Sequence, residues 1–338
     1  MLEPTDRPLH ETHDLAVLDL DGVVYVGRDA VPGAVEALAA VRAAGMKVAY
    51  VTNNAARTPE AVAEHLRRLG VEVDAGDVVT SAQAAAHVLA RILRPDAEVF
   101  LLGGDGLEQA LRERGLRPVT TPEGDVAAVA QGYAPQMPWR RVVDGAILVA
   151  SGLLWVASNT DMTIPTERGL GPGNGTLVEL VAKFADREPE VAGKPAAALF
   201  DETSERVGGQ RPLFVGDRLD TDIAGAHGVG WESLLVMTGV TGLEQLVAAP
   251  EALRPTYLAA GLGALLEAQP QVEVRPPGEG GDARAAVGGW VATVRDGVLH
   301  VEGDGELADW WRAAATTAWA HLDAAGAPVD ARAAQPPG

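Results

Sequence analysis

Two rhythms of apolar and polar positions take turns along roughly the first 260 residues of the chain. Leu15 to Leu20 (LAVLDL) is a short apolar run ending in Asp-Gly, the mark of a buried strand. Ala34 to Ala44 has helical spacing and is stopped by Gly45. Lys47 to Thr52 (KVAYVT) is the next strand, and Pro59 to Leu69 a second helix, closed by Gly70. Strand and helix in alternation, with short glycine-containing joints, predict βαβ units and a parallel sheet covered on both faces. The same rhythm returns at Pro212 to Val215, Ser233 to Met237 and Thr256 to Leu258. Between these halves, Glu98 to Leu102, Val126 to Gln131 and Leu153 to Ala157 predict strands. Gly106 to Arg114, Trp139 to Ser151 and Thr176 to Arg187 predict helices. A second α/β domain inserted into the first is the expectation: a core of residues 13–82 and 188–266 around an insert of 83–187.

Beyond Leu266 the pattern changes. Residues 267–282 are rich in Pro, Gly and charge, a linker signature. In the segment 283–330, WVATVR and VLHVE joined at Asp296-Gly297 predict a hairpin, and Glu306 to Ala324 a helix. Four of the seven tryptophans (Trp290, Trp310, Trp311 and Trp319) fall here. Trp311, Ala315 and Trp319 share one helix face, which predicts the small hydrophobic core of an α+β extension.

Composition narrows what such a chain can do. It has 338 residues, 47 Asp and Glu against 27 Lys and Arg, and a net charge of −20. That surplus argues against nucleic acid or an anionic membrane surface as the main partner. Zero cysteines exclude disulfides, thiolate metal sites and cysteine nucleophiles. Met1 to Asp14 is polar and lacks the apolar core of a signal peptide, and no apolar run reaches the roughly 18 residues of a membrane span. A cytoplasmic location is expected.

Four motifs carry the candidate chemistry, each at the end of an expected strand, where open α/β sheets bind ligands. Asp19-Leu20-Asp21-Gly22 places two carboxylates two residues apart, an arrangement a hard divalent cation relieves. Thr52-Asn53-Asn54 offers a hydroxyl, amide side chains and turn amides suited to phosphate oxygens. Gly193-Lys194-Pro195 holds one of only three lysines, the others being Lys47 and Lys183, and its compact charge can neutralise a phosphate. Asp217, Asp220 and Asp222 follow the strand at Pro212 to Val215. Metal ligation competes there with helix N-capping, which accounts best for Asp220 and in part for Asp222. The seven histidines show no metal-ligand spacing and are read as surface or packing residues.

DLDGVVYVG (19–27), VTNNAART (51–58), ASNTDMTIP (157–165), PGNG (172–175), AGKP (192–195) and VGDRLDTDI (215–223) together resemble the haloacid dehalogenase superfamily. The branch is class IIA, phosphatases with a large C2-type α/β cap inserted in a Rossmann-like, doubly wound parallel-sheet core. The resemblance spans roughly residues 13 to 265 and departs from the usual pattern at Ser158, where Thr is common. It implies a Mg²⁺-dependent phosphoric monoester hydrolase with Asp19 as nucleophile and Asp21 as general acid and base. Asp19, Asp21, Asp217 and Asp222 would hold Mg²⁺, while Gly22, Thr52, Asn53, Asn54 and Lys194 would take the phosphoryl group. Asn159, Asp161 and Arg168 are the cap residues implied to face a small phosphorylated metabolite. Ordinary turn chemistry is an equal reading for these cap residues and for the glycine loop 171–175.

The TERGL, PGNG and GDRLDTDI runs and the C-terminal extension resemble those of actinobacterial glycerol-3-phosphate phosphatases. That makes glycerol 3-phosphate the first substrate expected, with 2-phosphoglycolate and nitrophenyl phosphate behind it. The large cap and the family branch argue against a mutase. A phospho-accepting regulatory domain of the receiver kind stays as the alternative of a different class, from which Asp21, a general acid and base two residues from the nucleophile, discriminates. The resemblance leaves monomer and homodimer open.

Overall fold

The computed structural model describes residues 1–166, 168–275 and 282–337, and its fold is α/β with parallel sheets. The chain divides into two compact units, residues 1–48 with 209–338 and residues 49–208.

In the first unit Leu15–Asp19 pairs in parallel with Pro212–Gly216, which pairs with Glu232–Val236, and that with Tyr257–Ala259. Leu15–Asp19 is buried at every position, which is why it reads as an unbroken apolar run. After it, four antiparallel strands follow in the order Glu273–Arg275, Arg284–Val287, Trp290–Arg295 and Val298–Gly303. The expected hairpin is present. Asp296 and Gly297 both take positive φ, at 50° and 76°, the two left-handed positions that a two-residue turn between strands requires. Two strands beyond it were not expected. Glu273–Arg275 lies within the stretch read as a linker, of which residues 276–281 fall outside the described residues.

The helix Leu307–Ala325 buries every residue from Trp310 to Ala320, far more than one face. Its alanines let the strands Arg284–Val287 and Trp290–Arg295 approach on one side and Tyr257–Ala259 on another. Trp319 donates its indole N–H to Leu246 O at 2.8 Å, and Arg312 Nε donates to Leu258 O at 2.9 Å. Arg254 lies over the Trp319 ring and grips Asp323 with both guanidinium ends, at 2.7 and 2.6 Å. That cation holds the Asp323 carboxyl below its ordinary value. The clasp therefore stabilises above the carboxylate range and is lost as pH falls through the lowered value. Trp311, Ala315 and Trp319 do share a core, but one continuous with Leu219, Ile223, Leu235 and Leu258. Trp319→Ala is expected to cost about 3–5 kcal/mol in urea unfolding; a loss under about 1 kcal/mol would mean that this core is not shared.

In the second unit the end of Lys47–Thr52 pairs in parallel with Val78–Thr80. Five parallel strands follow in the order Glu190–Val191, Leu154–Ala157, Val126–Gln131, Glu98–Leu102 and Arg117–Val119. Trp139–Ala150 and Asn174–Ala185 close the core around Phe100, Leu102, Val129 and Trp155. The pattern reading did not foresee Val78–Thr80, the helix Ser81–Ile92 or the antiparallel hairpin of Thr163–Thr166 with Gly169–Pro172. Thr80 caps that helix through a reciprocal pair with Gln83.

Candidate active site

In the first unit the chemistry gathers where parallel strands end. Leu15–Asp19 terminates in Asp19, and the neighbouring strand Pro212–Gly216 delivers Asp217 beside it. A π-helical turn, Leu219–Ile223, then swings Asp222 back toward the strand end. There Asp222 Oδ2 accepts from the amides of Asp217 and Arg218, both at 3.1 Å. Oxygens of Asp19, Asp217 and Asp222 lie within 4.8 Å of one another, and all three residues are buried. Asp220 is not part of the group. It turns outward onto Arg218 at 2.8 Å, which, ahead of two turn amides, holds its carboxyl below the usual range.

Space around Asp217 is reserved by glycine. A Cβ on Gly22 would stand 2.5 Å from Asp217 Oδ2, and one on Gly239 only 2.0 Å away. Gly22 also takes φ +85°, as the turn after Asp21 demands, and spends its N–H on Tyr25 O at 2.8 Å. Asp21 stands exposed, its Oδ2 accepting from the Tyr25 hydroxyl at 3.3 Å. The strand rule extends to a segment the sequence reading passed over. After Glu232–Val236, Thr238 Oγ1 donates to Gly22 O at 2.5 Å, and the Val240 amide donates to Asp217 Oδ2 at 2.6 Å.

In the second unit Thr52 ends its strand buried, its Oγ1 accepting from the Asn54 amide at 3.1 Å and so keeping its own proton to donate. Asn54 Oδ1 accepts from the Ala56 amide at 2.9 Å, an Asx turn. Lys194, 4% exposed, presents its backbone to Asn53: Lys194 N donates to Asn53 Oδ1 at 2.9 Å. Asn159 is buried, donating to Asn53 O at 2.6 Å and accepting from the Asp161 amide at 3.1 Å. Asn174 Nδ2 ties to Asn159 O at 2.7 Å. A Cβ on Gly173 or Gly175 would meet Asp161 O or Thr160 O at 2.3 and 2.2 Å, so those two glycines of the 171–175 loop serve close packing. Asp161 is half-exposed. Arg168 stands exposed in the turn of the hairpin, next to Glu167, which lies outside the described residues.

The haloacid dehalogenase-like hydrolase family profile matches residues 16–117, and a second, HAD-hydrolase-like profile matches 191–265. A D-glycerol 3-phosphate phosphatase of Mycobacterium tuberculosis is 41% identical over 303 residues, 90% of this chain and 82% of that protein. The chain belongs to the haloacid dehalogenase-like hydrolases.

Other members of the family bear on this hydrolase too. An acid sugar phosphatase of Staphylococcus aureus is 36% identical over 68% of this chain and 88% of its own. The crystal structure of the M. tuberculosis glycerol phosphate phosphatase in complex with magnesium superposes with a TM-score of 0.83 at 40% identity, covering 93% of this chain and 92% of that one. A 4-nitrophenylphosphatase from Thermotoga maritima superposes at 0.70 with 28% identity, over 76% and 98%.

The donor set of this hydrolase fits a divalent cation. Three buried carboxylates this close repel one another, and a hard ion with oxygen ligands is what such a cluster accepts. Gly239→Ala is expected to push Asp217 out of the cluster, weakening Mg²⁺ binding about 10–100-fold in a calorimetric titration. Unchanged binding would show that the crowding at Asp217 is harmless.

A second grouping, His87 with Glu202 and Glu205, was not foreseen. Arg114 and Arg206 already hold the buried Glu202, so it forms an ion-pair network. His87 Nδ1 faces Glu202 at 2.9 Å within that network.

Proposed function

We propose that this hydrolase cleaves the phosphomonoester of a small metabolite, glycerol 3-phosphate first, through an aspartyl-phosphate at Asp19. The observation that carries the reading is the trio Asp19, Asp217 and Asp222 at adjoining strand ends, with an exposed carboxylate two residues beyond the first. Asp19 Oδ attacks phosphorus, the ester P–O bond breaks, and Asp21 gives its proton to the departing alkoxide. A water then attacks the same phosphorus, its proton passes to Asp21, and the acyl–phosphate bond breaks to return Asp19 and inorganic phosphate. Tyr25, donating to Asp21, limits where that carboxyl points. Mg²⁺, when held by Asp19, Asp217 and Asp222 with the Asp21 carbonyl, offsets charge between nucleophile and phosphate. The Thr52 hydroxyl and the Lys194 ammonium are assigned the phosphoryl oxygens. Among the inserted-domain candidates Arg168 is the exposed cation, and we assign it to the substrate side.

The relatives support the substrate class, since those named above are a glycerol 3-phosphate phosphatase, an acid sugar phosphatase and a nitrophenylphosphatase. The domain limits proposed are those of the sequence reading: core 13–82 and 188–266, cap 83–187. No helix among the described residues is long and apolar enough to cross a membrane, and we infer a cytoplasmic enzyme. The test is phosphate release from a panel of small esters with Mg²⁺, with Asp19→Asn as the blank. Glycerol 3-phosphate is expected to give the highest kcat/KM. A faster 2-phosphoglycolate or nitrophenyl phosphate would reassign the substrate, and no release from any ester would remove the phosphatase reading.

A further inference from the structure

The side chain of Asn53 spends all of its donors inside the protein. Its Nδ2 donates to Lys194 O at 3.2 Å and to Asp161 Oδ1 at 3.4 Å, while its Oδ1 accepts from Lys194 N at 2.9 Å. A carboxamide nitrogen has two N–H groups, so neither is left for a phosphoryl oxygen. Two bonds to the N–H and C=O of one residue fix its backbone as a paired residue in an antiparallel ladder is fixed. The approach depends on Gly193, where a Cβ would lie 2.6 Å from Asn53 Oδ1 and 2.4 Å from Ser158 O. Asn53 is itself anchored, because its carbonyl accepts from Ser81 Oγ at 2.5 Å and from Asn159 Nδ2 at 2.6 Å.

We infer that Asn53 is a positioning residue that acts on the phosphoryl group only through Lys194. Asp161, from the loop after the strand Leu154–Ala157, completes the clamp by holding the second amide proton. The consequence is a link between the loop carrying Asp161 and the catalytic cation: without the Asp161 contact the amide keeps only its two bonds to Lys194 and loses the third that holds it in place. This rests on the phosphatase reading and deepens it, giving Asn53 and Asp161 one shared task in place of separate substrate contacts.

A double-mutant cycle on the full-length, Mg²⁺-loaded enzyme separates the two roles. It is read on kcat/KM for glycerol 3-phosphate and on calorimetric titration with inorganic phosphate. Asn53→Ala is expected to lower both readouts about tenfold or more in the wild-type background, yet less than about twofold when Lys194 is already Ala. Equal losses in both backgrounds would make Asn53 a direct phosphate ligand and overturn the inference. Should Asn53→Ala not fold, Asn53→Asp takes its place, since it keeps the oxygen facing Lys194 N and loses both donations. Asp161→Ala is expected to lower kcat about threefold to tenfold, with Asp161→Asn, which retains an accepting oxygen, recovering most of that loss. No recovery would return Asp161 to direct substrate contact. A wild type inactive on every ester defeats the phosphatase reading alone, because the phosphate titration still reads the cycle.

Discussion

Asp19→Asn is expected to abolish turnover, by at least about 10⁴-fold, and at the same time to raise the melting temperature in EDTA. The two effects share one cause. Asp19 is buried within 4.8 Å of Asp217 and Asp222, and that cluster suits a cation and penalises its absence. Two like charges at such a distance cost roughly 3 kcal/mol at an effective dielectric near 20. Neutralising Asp19 removes two of the three repulsions, so the metal-free protein should melt a few degrees higher. Mg²⁺ should then stabilise the wild type by mass action and the variant much less. The measurement is thermal unfolding of both proteins with EDTA and with millimolar Mg²⁺, beside an assay of phosphate release. Retained turnover would end the nucleophile assignment; an unchanged melting temperature in EDTA would refute the repulsion within the cluster.

The second large effect is expected at Lys194. Lys194→Ala should lower kcat/KM about 10³-fold, whereas Lys47→Ala and Lys183→Ala should each stay within about twofold. Exposure decides between them: Lys47 and Lys183 stand in solvent, while Lys194 is buried. A buried ammonium bears a desolvation cost that a dianionic phosphate offsets, whereas an exposed one is screened by water and salt. Lys194→Arg should not restore activity, because a planar guanidinium replaces a compact charge in a packed place. Comparable losses at all three lysines would refute the assignment and point instead to a general effect of net charge.

Much of this architecture is legible because buried parallel strands leave plain traces. LAVLDL and KVAYVT are apolar runs stopped by polar residues at their ends, and the residues just past those ends hold the candidate chemistry. Where contrast is lacking the reading fails. The helix Ser81–Ile92 is largely alanine in its first turns and is buried almost throughout, so it shows no polar face to count. The hairpin Thr163–Pro172 carries proline and glycine, which argue locally against strands. At Asp220 and Asp222 the spacing could not show that a π-helical turn sends one carboxylate inward and the other out onto Arg218. The uses of Asn53 and of the Trp319 indole are set by partners 141 and 73 residues away. Local pattern does not carry such information.

The helix Leu307–Ala325 has a consequence in time as well as in space. It completes the core that also holds the strand neighbours of Asp217, yet it is made long after Leu15–Asp19. At about 5–20 residues per second, roughly 15–60 s of synthesis separate the nucleophile from the helix that seals its unit. During that interval the residue 49–208 unit can fold behind the ribosome as a contiguous piece. The carboxylate-bearing unit then keeps its apolar strands unsealed until the tryptophans are added.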